Sequence, residues 1–286
     1  MKVKNGCIEC FYRQGITLSE KMNLNPSLRE EIQNNIKNIV KSIEDTDIPA
    51  EIGRRIYLMI SEKTGIKDPY LEVKRQNISQ ALELIPVLES KISHSKDPLL
   101  LAIKYAVAGN IIDFGTGKPF NIIDEFNSIE EAAFAVFDYN EFKSSLEKTE
   151  KILYIGDNAG ESVFDVLLIK SLRKPVTYVV RSGPIINDVT FEDALNSGID
   201  KTAEIISSGM DAPGTILKLC SDSFKRLFQE SDMIISKGQG NFEGLSNEQG
   251  NIFFLLKVKC DCIADELNVS TGSLILKYSL KSQERV

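Results

Sequence analysis

Residues 152–169 read ILYIGDNAGESVFDVLLI, and this stretch decides the fold class. It opens with a short apolar, β-rich run at residues 152–155 and continues with the glycine-bounded acidic turn GDNAGE at residues 156–161. The apolar segment after the turn suits a helix packed on a sheet. Open α/β sheets place ligand sites at such turns, where a strand ends and a helix begins. We therefore predict an α/β fold with a ligand site at this turn.

The other strands of this sheet are also visible in the sequence. We predict strands at Ile152–Ile155, Val176–Val180, Glu204–Ser207, 233–236 and 273–277, separated by helices that start near Glu161, Thr190, Pro213 and Cys260. Strands that alternate with helices form a mainly parallel sheet with helices on both faces. We therefore expect a three-layer α/β/α sandwich.

The first half of the chain has a helical period instead. After a capping-box pattern at residues 27–30, apolar residues recur every three or four positions. A later long helix contains Pro86, which should kink or divide it. We expect a helical domain at residues 1–147, with a crossover loop at residues 114–127, packed on an α/β metal-binding domain at residues 148–286.

The charge of the chain excludes some partners. Lys+Arg 34 against Asp+Glu 41 gives a net charge of −7 and a pI near 5.1, so there is no basic excess to bind nucleic acid. No apolar run approaches the roughly 20 residues of a membrane span, and the N-terminal residues lack the apolar segment of an export signal. We expect a cytoplasmic protein without nucleic-acid or membrane partners. The sequence does not indicate an oligomeric state.

Histidine is scarce, since His94 is the single one in the chain. This scarcity removes His-ligated zinc sites, Ser-His-Asp triads and histidine general bases unless His94 alone supplies them. Carboxylates, amides, lysines and thiols must therefore carry most of the chemistry.

Three residues offer oxygen ligands for a metal. Asp157 and Asn158 supply a carboxylate and an amide oxygen, the hard donors that Mg²⁺ and Mn²⁺ prefer. Asp188, in the loop after the next predicted strand, adds a carboxylate on the same edge of a parallel sheet. The alternative is that Asp157 and Asn158 cap the following helix, where both residue types are common. We favour the metal site.

Other loops supply candidate substrate contacts. Lys237 precedes the glycine-rich segment GQGN, whose backbone N–H groups suit a phosphate, although a solvated lysine is the alternative. Gly209 and Asp211 lie after the third predicted strand, and the proline that follows them equally marks a plain helix start. Asn110 and Asp113 lie at a predicted helix end, where they could bind a substrate hydroxyl or merely end the helix.

Four cysteines form two close pairs, CxxC at Cys7 and Cys10 and CxC at Cys260 and Cys262. Together they could hold zinc through four thiolates, although the CxC spacing is tighter than usual for structural zinc. Free cysteines are most often buried without a metal. We rank a buried or undefined role first and a zinc site second.

Several motifs occur in the order that is typical of one family. They are CxxC at 7–10, GNIID at 109–113, GDNAGE at 156–161, PIIND at 184–188, KGQGNFE at 237–243 and KC at 259–260. With these motifs the chain resembles the damage-control phosphatases, long known as domain of unknown function 89. The resemblance is greatest to their bacterial and archaeal branch, which carries an N-terminal CxxC.

The resemblance implies a helical domain packed on an α/β/α sandwich, and hydrolysis of phosphate monoesters of small metabolites. It implies a divalent metal (Mg²⁺, Mn²⁺, Co²⁺ or Ni²⁺) ligated by Asp157, Asn158 and Asp188. It also implies that Lys237 contacts the phosphate and that the helix-end residues at 110 and 113 face the substrate.

Two mechanisms suit this set of residues. In one, the metal and Lys237 neutralise the phosphoryl oxygens while a water activated by the metal attacks phosphorus, oriented by Glu161 or Asp188. In the other, Asp157 is a covalent nucleophile. The expected catalytic residues are Asp157, Lys237 and Glu161. Alternative functions are an S-adenosylmethionine-dependent carboxyl methyltransferase and a non-catalytic zinc-thiolate protein.

Overall fold

The computed structural model describes residues 1–109 and 122–281, except for the side chains of residues 122–125 and 280–281. The helices are α1 (Asn5–Lys21), α2 (Pro26–Lys41), α3 (Pro49–Thr64), α4 (Leu71–His94), α5 (Pro98–Ala108), α6 (Ile122–Glu131), α7 (Tyr139–Lys148), α8 (Ser162–Leu172), α9 (Phe191–Asn196), α10 (Asp222–Glu230), α11 (Gly238–Leu245) and α12 (Asp261–Leu267). The strands are β1 (Phe134–Phe137), β2 (Ile152–Ile155), β3 (Val176–Val180), β4 (Glu204–Ser207), β5 (Met233–Lys237), β6 (Gly250–Lys257) and β7 (Leu274–Lys281).

The strands form one sheet in the order β1-β7-β6-β5-β2-β3-β4. Every pairing is parallel except that of β6 with β7. This arrangement confirms the mainly parallel α/β fold. Strand β2 pairs with β3 on one side and with β5 on the other. The chain adds β3 and β4 on one side of β2 and then crosses to the other side to form β5, so the strand order reverses between β2 and β5. Open α/β sheets have their ligand crevice at such a switch point, beyond the carboxyl ends of the strands.

Helices cover both faces of the sheet, because alternate residues of each strand point to opposite sides. In β2, Tyr154 packs in a core with residues of α5, α7 and α8. Its neighbour Leu153 packs in a second core with residues of α10, α11 and α12. The structure therefore has the three layers expected from the alternation of strands and helices.

The N-terminal helices form further apolar cores beside these layers. Helices α1, α2 and α3 bury Phe11, Ile32 and Ile56 together with Ile185 from the loop after β3. Helix α5 packs on α8 and belongs to the core of one sheet face. The division of the chain at residue 147 stays a prediction. In the part of the chain that the structure describes, no helix is long and apolar enough to span a membrane.

Two strands were not predicted from the sequence. Strand β1 lies inside the segment predicted to be helical. It was not recognised because four residues are too few to show a period. Strand β6 lies between β5 and β7, and its residues 252–256 are all buried. A strand buried on both faces is a continuous apolar run, which periodicity alone does not distinguish from a buried helix.

Several predicted helix boundaries were wrong. No helix starts at Pro213; α10 begins later, where Ser221 accepts a hydrogen bond from the Phe224 N–H. The cap of α2 is Asn25, two residues before the predicted capping box. Helix α4 is not divided at Pro86, where the carbonyl that loses its partner is that of the exposed Leu82; a kink at this position stays a prediction. Residues 122–127 of the predicted crossover loop are helical, and residues 114–121 lie outside the described residues.

Candidate functional site

The loops after β2 and β3 meet beyond the carboxyl edge of the sheet. Asn158 and Asp188 form an isolated antiparallel bridge. The Val189 N–H donates to the Asp157 carbonyl at 2.8 Å, and the Ala159 N–H donates to the Asn187 carbonyl at 2.8 Å. These backbone bonds bring together the three residues predicted to ligate a metal. Their role as ligands stays a prediction.

The end of β5 comes close to the same carboxylate. Gly238 has φ +78, and a Cβ at this position would lie 1.8 Å from Asp157 Oδ2. Both the left-handed backbone and the lack of space require glycine here. The glycine-rich segment GQGN therefore allows the backbone after β5 to pack directly against Asp157.

Lys237 points into the protein interior. Its Nζ donates to Asp165 Oδ1 at 2.6 Å and to Glu161 Oε2 at 3.2 Å, and the residue is 1% exposed. Asp165 also accepts hydrogen bonds from the hydroxyls of Tyr154 (2.6 Å) and Tyr178 (2.8 Å). In this arrangement Lys237 holds two carboxylates in place, and it is not among the described residues that line the cavity next to Asp157.

Glu161 connects this buried lysine to the predicted metal ligands. While one oxygen of Glu161 accepts from Lys237, the other accepts from Asn158 Nδ2 at 2.7 Å. Asn158 Nδ2 also lies 3.3 Å from Asp157 Oδ2. Because Nδ2 is directed at carboxylates, Oδ1 is the atom through which Asn158 would ligate a metal. Glu161 thus fixes the orientation of the Asn158 amide.

Arg181 binds the carboxylate of Asp188. Sequence reasoning assigned this arginine no role. Its Nε donates to Asp188 Oδ2 at 2.8 Å, and its NH2 group donates to Asn241 Oδ1 at 3.1 Å. Asn241 in turn donates to the carbonyls of Gly156 (3.0 Å) and Lys237 (2.7 Å). Arg181 and Asn241 are therefore bound to three loops of the crevice. An arginine directly after a buried strand was the available signal in the sequence.

Burial raises the pKa of three carboxyl groups at this site, those of Asp157, Glu161 and Asp188. The pKa of Asp188 rises to about 7 because of desolvation, which Arg181 partly offsets. The pKa of Glu161 rises to about 8 for the same reason, against the effect of Lys237. Burial also raises the pKa of Asp157, and Lys259 is the cation that opposes this most strongly. The nearby cations therefore do not fully compensate the desolvation of the carboxylates.

A divalent cation fits this donor set. Two buried carboxylates and an amide oxygen are hard donors, and a cation would offset the desolvation that raises their pKa values. Over residues 1–109 and 122–281, no three or more His, Cys, Asp or Glu residues are grouped to hold a metal. The set at Asp157 has two carboxylates, and its third donor is the amide of Asn158. The four cysteines of the predicted zinc-thiolate site also do not form such a group.

A cavity of about 350 Å³ opens beside Asp157, Asn158 and Asp188. Helices α1 and α3 form one wall, and the segments after β5 and β6 form the other. Among the described residues that line it, Arg13 and Lys259 are cationic, and the further polar or thiol-bearing ones are Cys7, Cys10, Gln14, Asn187, Gln239, Glu243, Cys260 and Cys262. Sequence reasoning gave no role to Arg13, Gln239, Glu243 or Lys259, since they come from separate segments.

The predicted substrate contacts outside the metal loops do not all reach this cavity. Gly209 packs against Ser221, and Asp211 accepts a hydrogen bond from Arg54 Nε at 2.7 Å. Neither Gly209 nor Asp211 is among the described residues that line the cavity. Asn110 and Asp113 lie outside the described residues, so their contact with substrate stays a prediction.

A larger cavity, about 740 Å³, is found elsewhere. Residues 172–174, which precede β3, line it together with parts of α4, α5, α7 and α8. It therefore lies near the amino end of β3, away from the loops that follow the strands. None of the described residues that line it belongs to the predicted site, so we take the smaller cavity as the candidate active site.

The fold and the crevice define an α/β enzyme with clustered carboxylates at the switch point of its sheet. The model of the damage-control phosphatase ARMT1-like domain matches residues 3–275. The chain belongs to this family, as the resemblance of its motifs implied, and its enzyme class is phosphatase. Of the functions considered from the sequence, this is the one that the family match supports.

Proteins from archaea show the same relationship along nearly the whole chain. A damage-control phosphatase of Pyrococcus horikoshii is 36% identical over 282 residues, covering 96% of this chain and 97% of that protein. A damage-control phosphatase of Archaeoglobus fulgidus is 31% identical, covering 86% of this chain and 88% of that protein. The crystal structure of a DUF89 family protein from P. horikoshii superposes with a TM-score of 0.90 at 34% identity, covering 97% of this chain and 99% of that one.

Proposed function

We propose that this phosphatase hydrolyses phosphate monoesters of small metabolites in the cavity beside Asp157, with a divalent cation held by Asp157, Asn158 and Asp188. The observation that carries the proposal is the meeting of these oxygen donors, two of them buried carboxylates, from two adjacent loops at the wall of a cavity of about 350 Å³. Membership of a phosphatase family supports the reaction class. The oxygen-only donor set favours Mg²⁺ or Mn²⁺ over the softer Co²⁺ and Ni²⁺.

The residues around the ligands orient them. Arg181 holds the Asp188 carboxylate, and Glu161 holds the Asn158 amide. Lys237 holds Glu161 and is buried behind it. We therefore assign Glu161 and Lys237 as positioning residues, whereas the sequence suggested that they touch water or phosphate. Outer partners of metal ligands typically contribute a factor of about 10 to 100 in metal affinity or activity.

Cations on the cavity wall attract the substrate. Lys259 is the cation that acts most strongly on Asp157, and Arg13 lines the opposite wall on α1. Their positive charge favours the entry of a phosphate dianion and offsets its charge when bound. A divalent cation at the site would supply further neutralisation of the phosphoryl oxygens and would lower the pKa of water.

Asp157 also bears on the choice of nucleophile. It is 7% exposed, and the backbone at Gly238 packs against its carboxylate. We propose that Asp157 serves as a ligand and that water attacks phosphorus. The stereochemical course of hydrolysis of a chiral phosphorothioate monoester tests this: inversion at phosphorus supports a single displacement by water, and retention would show two displacements through a covalent aspartyl intermediate.

Metal dependence and the site assignment are tested together. The EDTA-treated enzyme should not turn over p-nitrophenyl phosphate or a panel of sugar phosphates, and Mg²⁺, Mn²⁺, Co²⁺ or Ni²⁺ should restore turnover. Asp157→Ala should lower kcat/KM at least about 100-fold, the loss typical when one charge-stabilising group is removed.

Asp211→Asn is the matched control, because Asp211 pairs with Arg54 outside the cavity lining. This variant should keep nearly the parent activity. Full activity in Asp157→Ala would overturn the site assignment, and a large loss in Asp211→Asn would place that residue in the site, as the sequence suggested.

A further inference from the structure

Four thiols line the candidate active-site cavity, and two of them lie next to each other. Cys7 and Cys10 are on α1, Cys260 precedes α12, and Cys262 is on α12. The sulfur atoms of Cys7 and Cys262 are 3.8 Å apart, although the residues are 255 positions apart in the chain. All the cysteines are free thiols.

Neighbouring contacts keep the thiols of Cys7 and Cys262 next to each other. Lys4 Nζ donates to the Cys262 carbonyl at 3.1 Å and forms an ion pair with Glu266 at 2.9 Å. A Cβ at Gly6 would lie 2.8 Å from the Cys262 sulfur, so the absence of a side chain allows α12 to pack directly on α1. The start of α1 is thus held against α12 at the point where the two thiols meet.

The same segment is connected to the proposed metal loops. Gln239 Nε2 donates to the Cys260 sulfur at 3.3 Å, and Gln239 Oε1 accepts from the Lys259 N–H at 3.1 Å. Gln239 directly follows Gly238, which packs on Asp157. A movement of α12 would therefore be transmitted to Lys259 and Asp157 beside the cavity.

We propose that Cys7 and Cys262 form a reversible disulfide across the wall of this cavity when a hydroperoxide is present, and that the disulfide lowers phosphatase turnover. The first half of the proposal rests on the thiol geometry alone. The second half rests on the proposed function, because it requires that substrate bind in this cavity.

The chemistry balances with the hydroperoxide as the oxidant. The sulfur of Cys262 attacks the peroxide oxygen, the O–O bond breaks, and a sulfenic acid and water (or an alcohol) form. The sulfur of Cys7 then attacks the Cys262 sulfur, the S–O bond breaks, and a second water leaves with the thiol proton. Two thiols lose two electrons in total, and the peroxide gains them.

Cys262 is the thiol that meets the oxidant first. It is partly exposed in the cavity, whereas Cys7 is buried and burial raises the pKa of Cys7 to about 12. Bond formation requires the sulfurs to approach from 3.8 Å to about 2.05 Å. This approach draws α1 towards α12 and narrows the cavity between them.

Peptide mapping by mass spectrometry after graded hydrogen peroxide tests the disulfide directly, on the full chain and without an activity assay. We expect a Cys7–Cys262 cross-link that dithiothreitol removes. Cys220→Ala is the matched control, since Cys220 is buried in the sheet core and should leave the cross-link unchanged. Cys7→Ser and Cys262→Ser should both abolish it.

Activity is measured on the same samples, with each variant compared with its own untreated rate. Peroxide should lower turnover of the parent and of Cys220→Ala several-fold, dithiothreitol should restore it, and Cys262→Ser should resist the loss. A Cys7–Cys10 or Cys260–Cys262 bond in place of the expected one, or oxidation to sulfinic acid alone, would overturn the disulfide. If the cross-link forms and turnover is unchanged, the proposed effect of the disulfide on turnover is wrong, and the phosphatase assignment stays intact.

Discussion

Lys237 and Lys259 differ in burial and in the groups that surround them. Lys237 is 1% exposed and binds two buried carboxylates, Glu161 and Asp165. Lys259 is exposed, lines the cavity and acts electrostatically on Asp157. Removal of a buried cation leaves its carboxylate partners unpaired in the interior, whereas we propose that the exposed cation at the cavity meets substrate.

Replacing each lysine by methionine separates these roles. Lys237→Met leaves two buried carboxylates without their cation and should lower the free energy of unfolding by about 3–5 kcal/mol. Lys259→Met should leave the urea midpoint nearly unchanged and lower kcat/KM. Unfolding curves and steady-state kinetics on both variants check this. A stable Lys237→Met enzyme with raised KM would show that Lys237 binds phosphate directly.

Gly238 limits the side chain that can stand beside Asp157. In Gly238→Ala the left-handed backbone costs about 1–2 kcal/mol, and the new methyl group would collide with the Asp157 carboxylate. Gly65→Ala is the control, because Gly65 also has positive φ (+70) but nothing lies within 4 Å of its Cβ position. Calorimetric titration with Mn²⁺ should show weakened binding in Gly238→Ala only. Equal affinity in both variants would contradict the assignment of Asp157 as a ligand.

At the scale of elements, a buried ion pair joins helix α4 to helix α9. Lys74 on α4 donates to Asp193 at 2.7 Å, and the same Asp193 completes a capping box with Thr190 at the start of α9. Lys74 also pairs with Asp68 before α4. These contacts hold the start of α4 against the segment that follows Asp188, and thereby support the loop after β3.

Removing this lysine should therefore destabilise the protein. In Lys74→Met the buried Asp193 loses its cation, and the free energy of unfolding should fall by about 3–5 kcal/mol. Lys170→Met is the control, since the pair of Lys170 with Glu89 is about half exposed on both sides and such pairs contribute about 0–1 kcal/mol. Urea denaturation measures both. Similar losses in the two variants would show that Lys74 has no special structural role.

The elements around the site were predictable to different degrees. Strands β2, β3 and β4 have the predicted bounds, because each is a short segment with an apolar centre between polar turns. Helix α11 was predicted as a loop, since its sequence GQGNFEGL has three glycines and little helical period. Tertiary packing stabilises it: Gly240 and Gly244 lie against backbone at residues 213–216, an approach that any side chain would block.

At the scale of the whole molecule, the carboxylate cluster makes stability depend on pH. In the unfolded chain these carboxyls lose their protons near pH 4. In the metal-free folded state the pKa is about 7 for Asp188 and Glu243 and about 8 for Glu161. The folded state therefore binds more protons between about pH 4 and 8, and the free energy of unfolding falls as pH rises through that window.

The measurement is the urea midpoint in EDTA at pH 6 and pH 8. We expect a lower midpoint at pH 8, and we expect Mn²⁺ to restore it, because a cation that binds only the folded state stabilises it. Asp188→Asn removes one titrating group and should reduce the difference between the two pH values. A urea midpoint independent of pH in the metal-free protein would contradict the raised pKa values of these carboxyl groups.

The sequence by itself determined the fold class and predicted where the site lies. Alternating apolar runs and glycine-bounded polar turns are local patterns, and parallel strands place their carboxyl ends together, so Asp157, Asn158 and Asp188 could be expected on one edge of the sheet. Their order with the other motifs also pointed to the phosphatase family.

Only the tertiary structure decided which neighbouring groups act on those residues. Contacts between Lys237 and Asp165, Arg181 and Asn241, or Cys7 and Cys262 join positions 60 to 255 residues apart. No local period encodes such pairs, because they depend on the order of strands in the sheet and on the packing of α1 against α12. For the same reason, the direction of the Lys237 side chain, into the protein interior towards Glu161 and Asp165, became visible only in the folded chain.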